Sequence, residues 1–227
     1  MRKKVGTIFA HPDDEVLGCG GTSSKYAENG SDVHTLILSR GITSRENFTQ
    51  KSKIELINQS KKASKILGNK TIEFCDFPDN ELDKVSLLKI IKEIESFIKK
   101  YDIEIVFTHD FYDLNNDHKI INKAVVTAAR PFMKKIKLFS CEVLSSSEVN
   151  FSITSCFKPN VFVDIESTLQ KKIDAMNEYK HELREWPHPR SIKGIEYQSY
   201  LRGSQSGLKA AEAFKSLVDI YTGGLLP

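Results

Sequence analysis

The chain has 227 residues, with 33 Lys and Arg against 30 Asp and Glu, so its formal net charge is only +3. So small a surplus argues against a protein that binds nucleic acid, and no apolar run approaches the roughly 18 residues of a membrane span. Hydrophobic residues at 40% and charged residues at 28% exclude a disordered or fibrous chain and allow a sizeable core.

Short apolar runs alternate with stretches of helical period, and no repeat or linker marks a domain boundary. We therefore predict a single domain over residues 1–227. The predicted strands, in chain order, are Val5–Ala10, Val33–Ser39, Thr71–Asp76, Ile103–Thr108, Lys135–Cys141 and Val161–Ile165. The predicted helices are Glu15–Asn29, Thr49–Leu67, Val85–Lys100, His118–Ala129, Leu169–Tyr179 and Ile192–Arg202.

Strands that alternate with helices predict right-handed βαβ units and a mostly parallel sheet covered by helices on both faces. The expected architecture is a Rossmann-like, three-layer α/β domain with strand order about 3-2-1-4-5. In such sheets ligands bind beyond the carboxyl ends of the strands, at the point where the strand order reverses. That point lies between the first and fourth strands, whose following loops, 11–15 and 109–118, are both rich in His and Asp.

The loop after the first strand reads His11-Pro12-Asp13-Asp14-Glu15. Proline and acidic residues are common at helix starts, so the acidic run alone would need no function beyond capping. His11 directly follows an apolar strand and is harder to explain as a solvated side chain. His11 and Asp14 lie three residues apart across the turn, so both can converge on one metal ion, and their atoms suit zinc. Asp13 points differently and is better placed to hold a water.

The loop after the fourth strand carries a third candidate ligand, His118. Turn and capping roles would explain Asp113, Asn115 and Asp117, and a single His at a helix start is usually structural. Beside the first loop, however, His118 completes a set of two His and one Asp with an open fourth position, which is typical of a catalytic zinc site. Asp117 is then positioned to orient groups of the site as an outer carboxylate.

The run Gly18-Cys19-Gly20-Gly21 raises the alternative of an enzyme with a nucleotide cofactor. The run comes well after the first strand and is one residue short of the GxGxxG spacing, so it does not match the dinucleotide fingerprint. Close packing of the helix on the sheet explains these glycines better.

Two motifs, Ala10-His11-Pro12-Asp13-Asp14-Glu15 and the pair Asp117-His118, resemble the LmbE-like (PIG-L) zinc N-deacetylases. Further segments extend the resemblance over nearly the whole chain: Leu17–Thr22, Phe77–Asn80, Glu142–Ser146 and Pro187–Ser191. The resemblance implies a metal-dependent hydrolase that removes the acetyl group from an amino sugar or its conjugate, including nucleotide- and lipid-linked sugars. Residues from about 142 to 227 would then complete the substrate pocket.

The resemblance also implies roles for single residues. His11, Asp14 and His118 would bind one Zn²⁺ per chain, with another divalent ion such as Fe²⁺ as the alternative. Asp13 would act as the general base on the attacking water. The family resemblance further implies a homo-oligomer.

The chain departs from the family at one position. Much of the family reads His-Pro-Asp-His where this chain has Asn115-Asn116-Asp117-His118, and an amide cannot deliver a proton at neutral pH. We hypothesise that His188, held between two prolines, is the general acid, with His109 as the second candidate. The departure also leaves open a different class of function, a sugar-binding or regulatory protein with a degenerate catalytic centre.

Contacts to the substrate are predicted for seven further side chains. Arg45 is preferred because the family places a sugar-binding Arg in that loop, and Arg190 because a guanidinium can fork a phosphate or carboxylate. The full set is Arg45, Asp79, Asn80, His109, Asn115, Glu142 and Arg190.

The expected location is the cytoplasm. Four cysteines lie far apart without a CxxC pair, which predicts reduced thiols. The first residues have a basic head but too short an apolar stretch for a signal peptide.

Overall fold

A computed structural model describes residues 2–39, 41, 49–132 and 134–221. Its strands are β1 (Lys4–Phe9), β2 (Asp32–Ser39), β3 (Thr71–Phe77), β4 (Ile105–His109), β5 (Lys137–Cys141), β6 (Val161–Asp164) and β7 (Ala211–Val218). These seven strands form one sheet in the order β3-β2-β1-β4-β5-β7-β6.

The helices follow the predicted alternation with the strands. They are α1 (Asp14–Glu28), α2 (Gln50–Leu67), α3 (Leu87–Tyr101), α4 (Asn116–Ala128), α5 (Leu169–Glu178) and α6 (Ile192–Ser206). A short 3-10 helix, Leu82–Lys84, precedes α3. Within the described ranges, no helix is both long and apolar enough to cross a membrane.

Two apolar layers cover the two faces of the sheet. Helices α1, α2 and α5 pack on one face, against strand residues such as Val5 and Phe9. Helices α3 and α4 pack on the other face, against residues such as Ile8 and Leu36. Adjacent residues of β1 therefore pack into opposite apolar layers, because side chains alternate between the two faces along a strand. The predicted three-layer α/β fold is confirmed.

The sheet is parallel through its first five strands and antiparallel at one end. The pairings β1–β2, β1–β4, β2–β3 and β4–β5 are parallel, which confirms the order 3-2-1-4-5. Strand β7 lies between β5 and β6 and is antiparallel to both. The sequence analysis did not predict β7, because the charges of Glu212 and Lys215 interrupt its apolar pattern.

Helix α1 is broken at Cys19, whose φ of −151° and ψ of 24° are not helical. The Glu212 carboxylate accepts a hydrogen bond from Gly21 N at 2.9 Å, and Lys172 Nζ donates one to Leu17 O at 2.9 Å. The two charged groups also pair with each other at 2.6 Å and are buried. An ion pair between α5 and β7 thus satisfies backbone groups on both sides of the break.

The glycines of α1 allow the helix to approach its neighbours closely. A Cβ added at Gly21 would lie 2.9 Å from Ile165 Cγ2, and one at Gly18 would lie 3.0 Å from Phe9 Cε1. Both distances are shorter than ordinary packing contacts, so the packing interpretation of this run is confirmed.

Candidate active site

The loops that follow β1 and β4 meet at the carboxyl edge of the sheet, because the two strands are neighbours, with Val5 paired to Ile105. A cavity of about 250 Å³ opens there. Its polar lining comes from these loops, from the segments after β3 and β5 and from the part of the chain after β6, and it includes Asp13, Asp14, Asp79, Asn80, Asn115, His118, Ser145, Ser146, Glu182 and Arg190.

Three side chains at the base of the cavity form a potential metal-binding group. His11, Asp14 and His118 each offer one ligand atom, and these atoms lie within 4.8 Å of one another. Asp14 Oδ2 is 3.2 Å from His11 Nδ1 and 3.2 Å from His118 Nε2. Two imidazole nitrogens and one carboxylate are a donor set that suits a divalent transition metal.

The outer nitrogen of each imidazole contacts a second carboxylate. His118 Nδ1 is 3.1 Å from Asp113 Oδ1, and His11 Nε2 is 3.1 Å from Asp117 Oδ2. Such carboxylates fix the tautomer and direction of metal-binding imidazoles, so the inner nitrogens His11 Nδ1 and His118 Nε2 are the ones left to hold a metal. The donor atoms, and the carboxylates that orient the two imidazoles, therefore fit a divalent metal ion.

Asp113 and Asp117 are themselves held by neighbouring groups. Asp113 Oδ2 accepts hydrogen bonds from the hydroxyls of Ser146 at 2.8 Å and Ser147 at 2.7 Å. Asp117 accepts from the backbone N–H groups of Asn80 at 2.9 Å and Leu82 at 3.1 Å. The role predicted for Asp117 stays a prediction. The contact of Asp113 with His118 was missed because the sequence signal of Asp113 is that of an ordinary turn residue.

The electrostatics of this group favour a negative charge on Asp14 and a positive charge beside it. Burial acts to raise the pKa of Asp14, but the nearby His118 and His109 outweigh it and hold that pKa well below its ordinary value. Burial acts to lower the pKa of His118, but Asp14 and Asp113 outweigh it and raise that pKa to about 9. The buried carboxylates thus stabilise positive charge at the base of the cavity.

Asp13 lies beside this group with an unusual backbone conformation. Its φ is 102° and its ψ is −32°, and its side chain is buried, at 3% exposure. Burial, and then the charge of Asp14, raise the pKa of Asp13 well above its ordinary value. A buried carboxylate of raised pKa in a cavity is suited to accept a proton.

Arg190 reaches Asp13 from the far end of the chain. Its Nη1 donates a hydrogen bond to Asp13 Oδ2 at 3.1 Å and lies 3.5 Å from Glu182 Oε2. The sequence analysis expected Arg190 to bind an anion on the substrate, but in the structure two protein carboxylates already face its guanidinium. Glu182 was missed, because a Glu among Lys, His and Arg indicates a solvated segment.

The two candidate acids occupy different places. His188 is partly buried, and its Nδ1 accepts a hydrogen bond from Arg190 N at 3.1 Å, as part of the turn that precedes α6. Among the described residues His188 does not line the cavity. His109 is fully buried behind the site, where its Nε2 accepts from Ala10 N at 2.8 Å and its ring stacks on His118 at 3.7 Å between centroids.

The remaining predicted substrate contacts divide into two groups. Asp79, Asn80 and Asn115 line the cavity, and Asn115 Oδ1 also caps α4 by accepting from Asp117 N at 2.8 Å. Glu142 instead pairs with Arg202 Nε at 2.7 Å and borders a separate cavity of about 20 Å³. Arg45 lies outside the described residues.

Comparisons with known proteins identify the family to which the chain belongs. Residues 7–129 match the PIG-L family, described as GlcNAc-PI de-N-acetylase. The chain is 31% identical to the diacetylchitobiose deacetylase of Thermococcus kodakarensis, in an alignment that covers 96% of this chain and 85% of the relative.

Solved structures share the fold over nearly the whole chain. The N,N'-diacetylchitobiose deacetylase of Pyrococcus horikoshii matches with a TM-score of 0.76 at 20% identity, over 94% of this chain and 83% of that one. The 4-carboxy-2-hydroxymuconate hydratase of Pseudomonas putida KT2440 matches with a TM-score of 0.78 at 21% identity, over 100% of both chains. The family match over more than half of the sequence, together with the full-length relative, shows that the chain belongs to the PIG-L family of de-N-acetylases.

Proposed function

We propose that the chain is a metal-dependent hydrolase that removes the acetyl group from an N-acetylated amino sugar or amino-sugar conjugate. The observation that carries the proposal is the convergence of His11, Asp14 and His118 on one point, with Asp13 beside them in the same cavity. Membership of a de-N-acetylase family supports it. The fold alone would not, because a hydratase shares it.

Zn²⁺ is the ion that we expect in this site, held by His11 Nδ1, Asp14 and His118 Nε2. When bound, a divalent ion would supply a Lewis acid that polarises an amide carbonyl and makes water more acidic. Asp113 and Asp117 orient the two imidazoles from outside.

Asp13 is the group that moves the proton. It accepts a proton from the attacking water and, as a buried carboxyl of raised pKa, it can return that proton to the leaving amine. A bifunctional Asp13 needs no separate acid, which accommodates Asn115 in place of the usual His. The contact with Arg190 keeps the carboxylate turned toward the cavity.

The cavity suits a single acetamido sugar ring. Its volume of about 250 Å³ is below the roughly 300–1,000 Å³ of pockets for drug-sized ligands. Asp79, Asn80 and Asn115 offer carboxylate and amide groups that can bind sugar hydroxyls. Nucleotide- or lipid-linked conjugates would extend beyond the described lining.

Acetate release from a panel of substrates tests this proposal. The panel contains N-acetylglucosamine, its phosphorylated and nucleotide-linked forms, and N,N'-diacetylchitobiose. We expect chelator-sensitive release of acetate from at least one of them, restored by added Zn²⁺. Metal binding without acetate release from any of them would favour the second candidate, a sugar-binding homologue, for which the replacement of the usual His by Asn115 is the specific observation.

A further inference from the structure

The backbone of Asp13 is held in a conformation that a non-glycine residue rarely adopts. Its φ of 102° lies on the left-handed side, where the Cβ of an L-residue crowds its own backbone. Such conformations persist only where the surroundings determine them, and they cluster at functional sites. Some nearby group must therefore hold Asp13 in place.

Glu15 is that group. It is 2% exposed, and its Oε2 accepts a hydrogen bond from the backbone N–H of Asp13 at 3.0 Å. Its Oε1 accepts a hydrogen bond from the hydroxyl of Tyr179, a residue that is fully buried. Both oxygens of the carboxylate are therefore fixed, one by the chain just before it and one by the residue that follows α5.

A role in capping accounts for only half of this arrangement, because Asp13 is the N-cap of α1 and Glu15 accepts from its backbone N–H. An acidic residue in the first turn of a helix gains from the helix dipole while remaining in water. Glu15 is instead buried, and a buried carboxylate is unfavourable unless specific partners compensate for its lost hydration. Its partners are the strained residue itself and a buried tyrosine, so the arrangement acts on Asp13.

We propose that Glu15 and Tyr179 are positioning residues, which fix the backbone of Asp13 so that its carboxylate points at the water it deprotonates. This inference rests on the proposed role of Asp13. Arg190 contacts the side chain of Asp13, because its Nη1 donates a hydrogen bond to Asp13 Oδ2 at 3.1 Å. Asp13 is thus restrained at its backbone by Glu15 and at its side chain by Arg190. Arg190 and Tyr179, which holds Glu15, both lie outside the 7–129 match to the family.

The test compares Glu15→Met, which keeps the volume but removes the acceptor, with Glu15→Gln, which keeps an acceptor oxygen. Acetate release from N,N'-diacetylchitobiose, bound metal per chain and the amide resonance of Asp13 are measured for each. We expect Glu15→Met to lower kcat about 100-fold, as for a misplaced catalytic group, with KM and bound metal unchanged. Glu15→Gln should recover most of kcat and keep the wild-type amide resonance.

Tyr179→Phe provides a second variant in case Glu15→Met does not fold. It removes one hydrogen bond to Glu15, and we expect kcat to fall about fivefold, as for the loss of one ordinary hydrogen bond. Tyr101→Phe is the matched control, because the Tyr101 hydroxyl donates to Glu73 at a place remote from the cavity. The control should keep its kcat.

The inference is overturned if the two Glu15 variants have equal kcat per metal-loaded chain, or if the Asp13 amide resonance is the same in both. It is also overturned if Tyr179→Phe and Tyr101→Phe have the same kcat. Asp13→Asn, measured in the same assay, separates this failure from failure of the proposed function. An active Asp13→Asn variant refutes the base itself, whereas an inactive one with a normal Glu15→Met refutes only the positioning.

Discussion

Two buried clusters of charge contact helix α1, and they differ in what surrounds them. At the break of the helix, Lys172 and Glu212 pair at 2.6 Å and bind backbone groups of α1 on either side. At its start, Asp14 lies between His11 and His118 beside a cavity of about 250 Å³. The first cluster contacts fixed protein groups and borders a cavity of about 20 Å³, whereas the second opens on the much larger one.

This difference distinguishes a cluster that stabilises the fold from one that is arranged to bind another group. A buried ion pair with fixed partners adds little net stability. Removing one partner is nevertheless strongly destabilising, because it leaves an uncompensated buried charge. Imidazoles whose outer nitrogens are fixed by Asp113 and Asp117, while their inner nitrogens converge, are arranged to hold something else. Substitutions in the two clusters should therefore affect different measurements.

The largest expected effect is on catalysis, from Asp13→Asn. Loss of the proton-accepting carboxylate should lower kcat by about 10²–10⁴-fold, the usual contribution of a general base. Bound metal should stay at the wild-type level, because Asp13 is not one of the three converging donors. Steady-state kinetics with metal analysis of the same sample checks both, and a variant of normal kcat would remove Asp13 from the mechanism.

Glu212→Ala should affect the other cluster and leave the chemistry intact. The variant leaves Lys172 buried without its partner, which typically costs about 3–5 kcal/mol in the free energy of unfolding. Denaturant unfolding measures this loss, while kcat per folded, metal-loaded chain should change little. The double variant Lys172→Met/Glu212→Gln should recover part of the stability. A stable Glu212→Ala variant that binds no metal would contradict the separation of the clusters.

Asp113→Asn should have a smaller effect on the metal site. The Asn side chain is no longer a charged acceptor for the outer nitrogen of His118. Such changes typically weaken metal affinity or activity by about 10–100-fold. Competition with a chelator measures the affinity. Ser147→Ala is a milder control, because it removes one hydrogen bond to the same carboxylate. Unchanged affinity in Asp113→Asn would mean that His118 is oriented by its packing alone.

His188→Ala should have the smallest effect. The His188 ring accepts a hydrogen bond from Arg190 N and, among the described residues, does not line the cavity. If Asp13 returns the proton, kcat should stay close to that of the wild type at every pH tested. A large loss of kcat at pH values below the wild-type basic limb, with that limb absent from the variant, would instead support the original assignment of His188 as the acid.

The sequence was sufficient to predict the fold and the two loops whose His and Asp side chains converge. Regular alternation of strand and helix fixed the order of five strands, and the neighbouring β1 and β4 bring His11 and His118 together. Both steps depend on local pattern and on general rules of chain topology. Strand β7 escaped prediction because Glu212 is buried by contacts with α1 and α5, which local sequence does not encode.

Among the groups around these three donors, Asp117 was predicted as an outer carboxylate, but the others could not be predicted, for the same reason. Glu15 and Asp113 have the signals of helix and turn residues, and only long-range contacts with Tyr179 and Ser147 show their other use. Arg190 was predicted to contact the substrate, but its neighbours Asp13 and Glu182 follow from tertiary packing. The homo-oligomeric state and the cytoplasmic location stay predictions.

The central claim is that His11, Asp14 and His118 hold one divalent metal ion in a site open to substrate. Elemental analysis of protein purified without chelator or affinity metal, alongside His118→Ala, tests it most directly. We predict close to one zinc or other divalent transition metal per wild-type chain and almost none in the variant. Wild-type protein that carries no metal and takes up none on titration would contradict the claim.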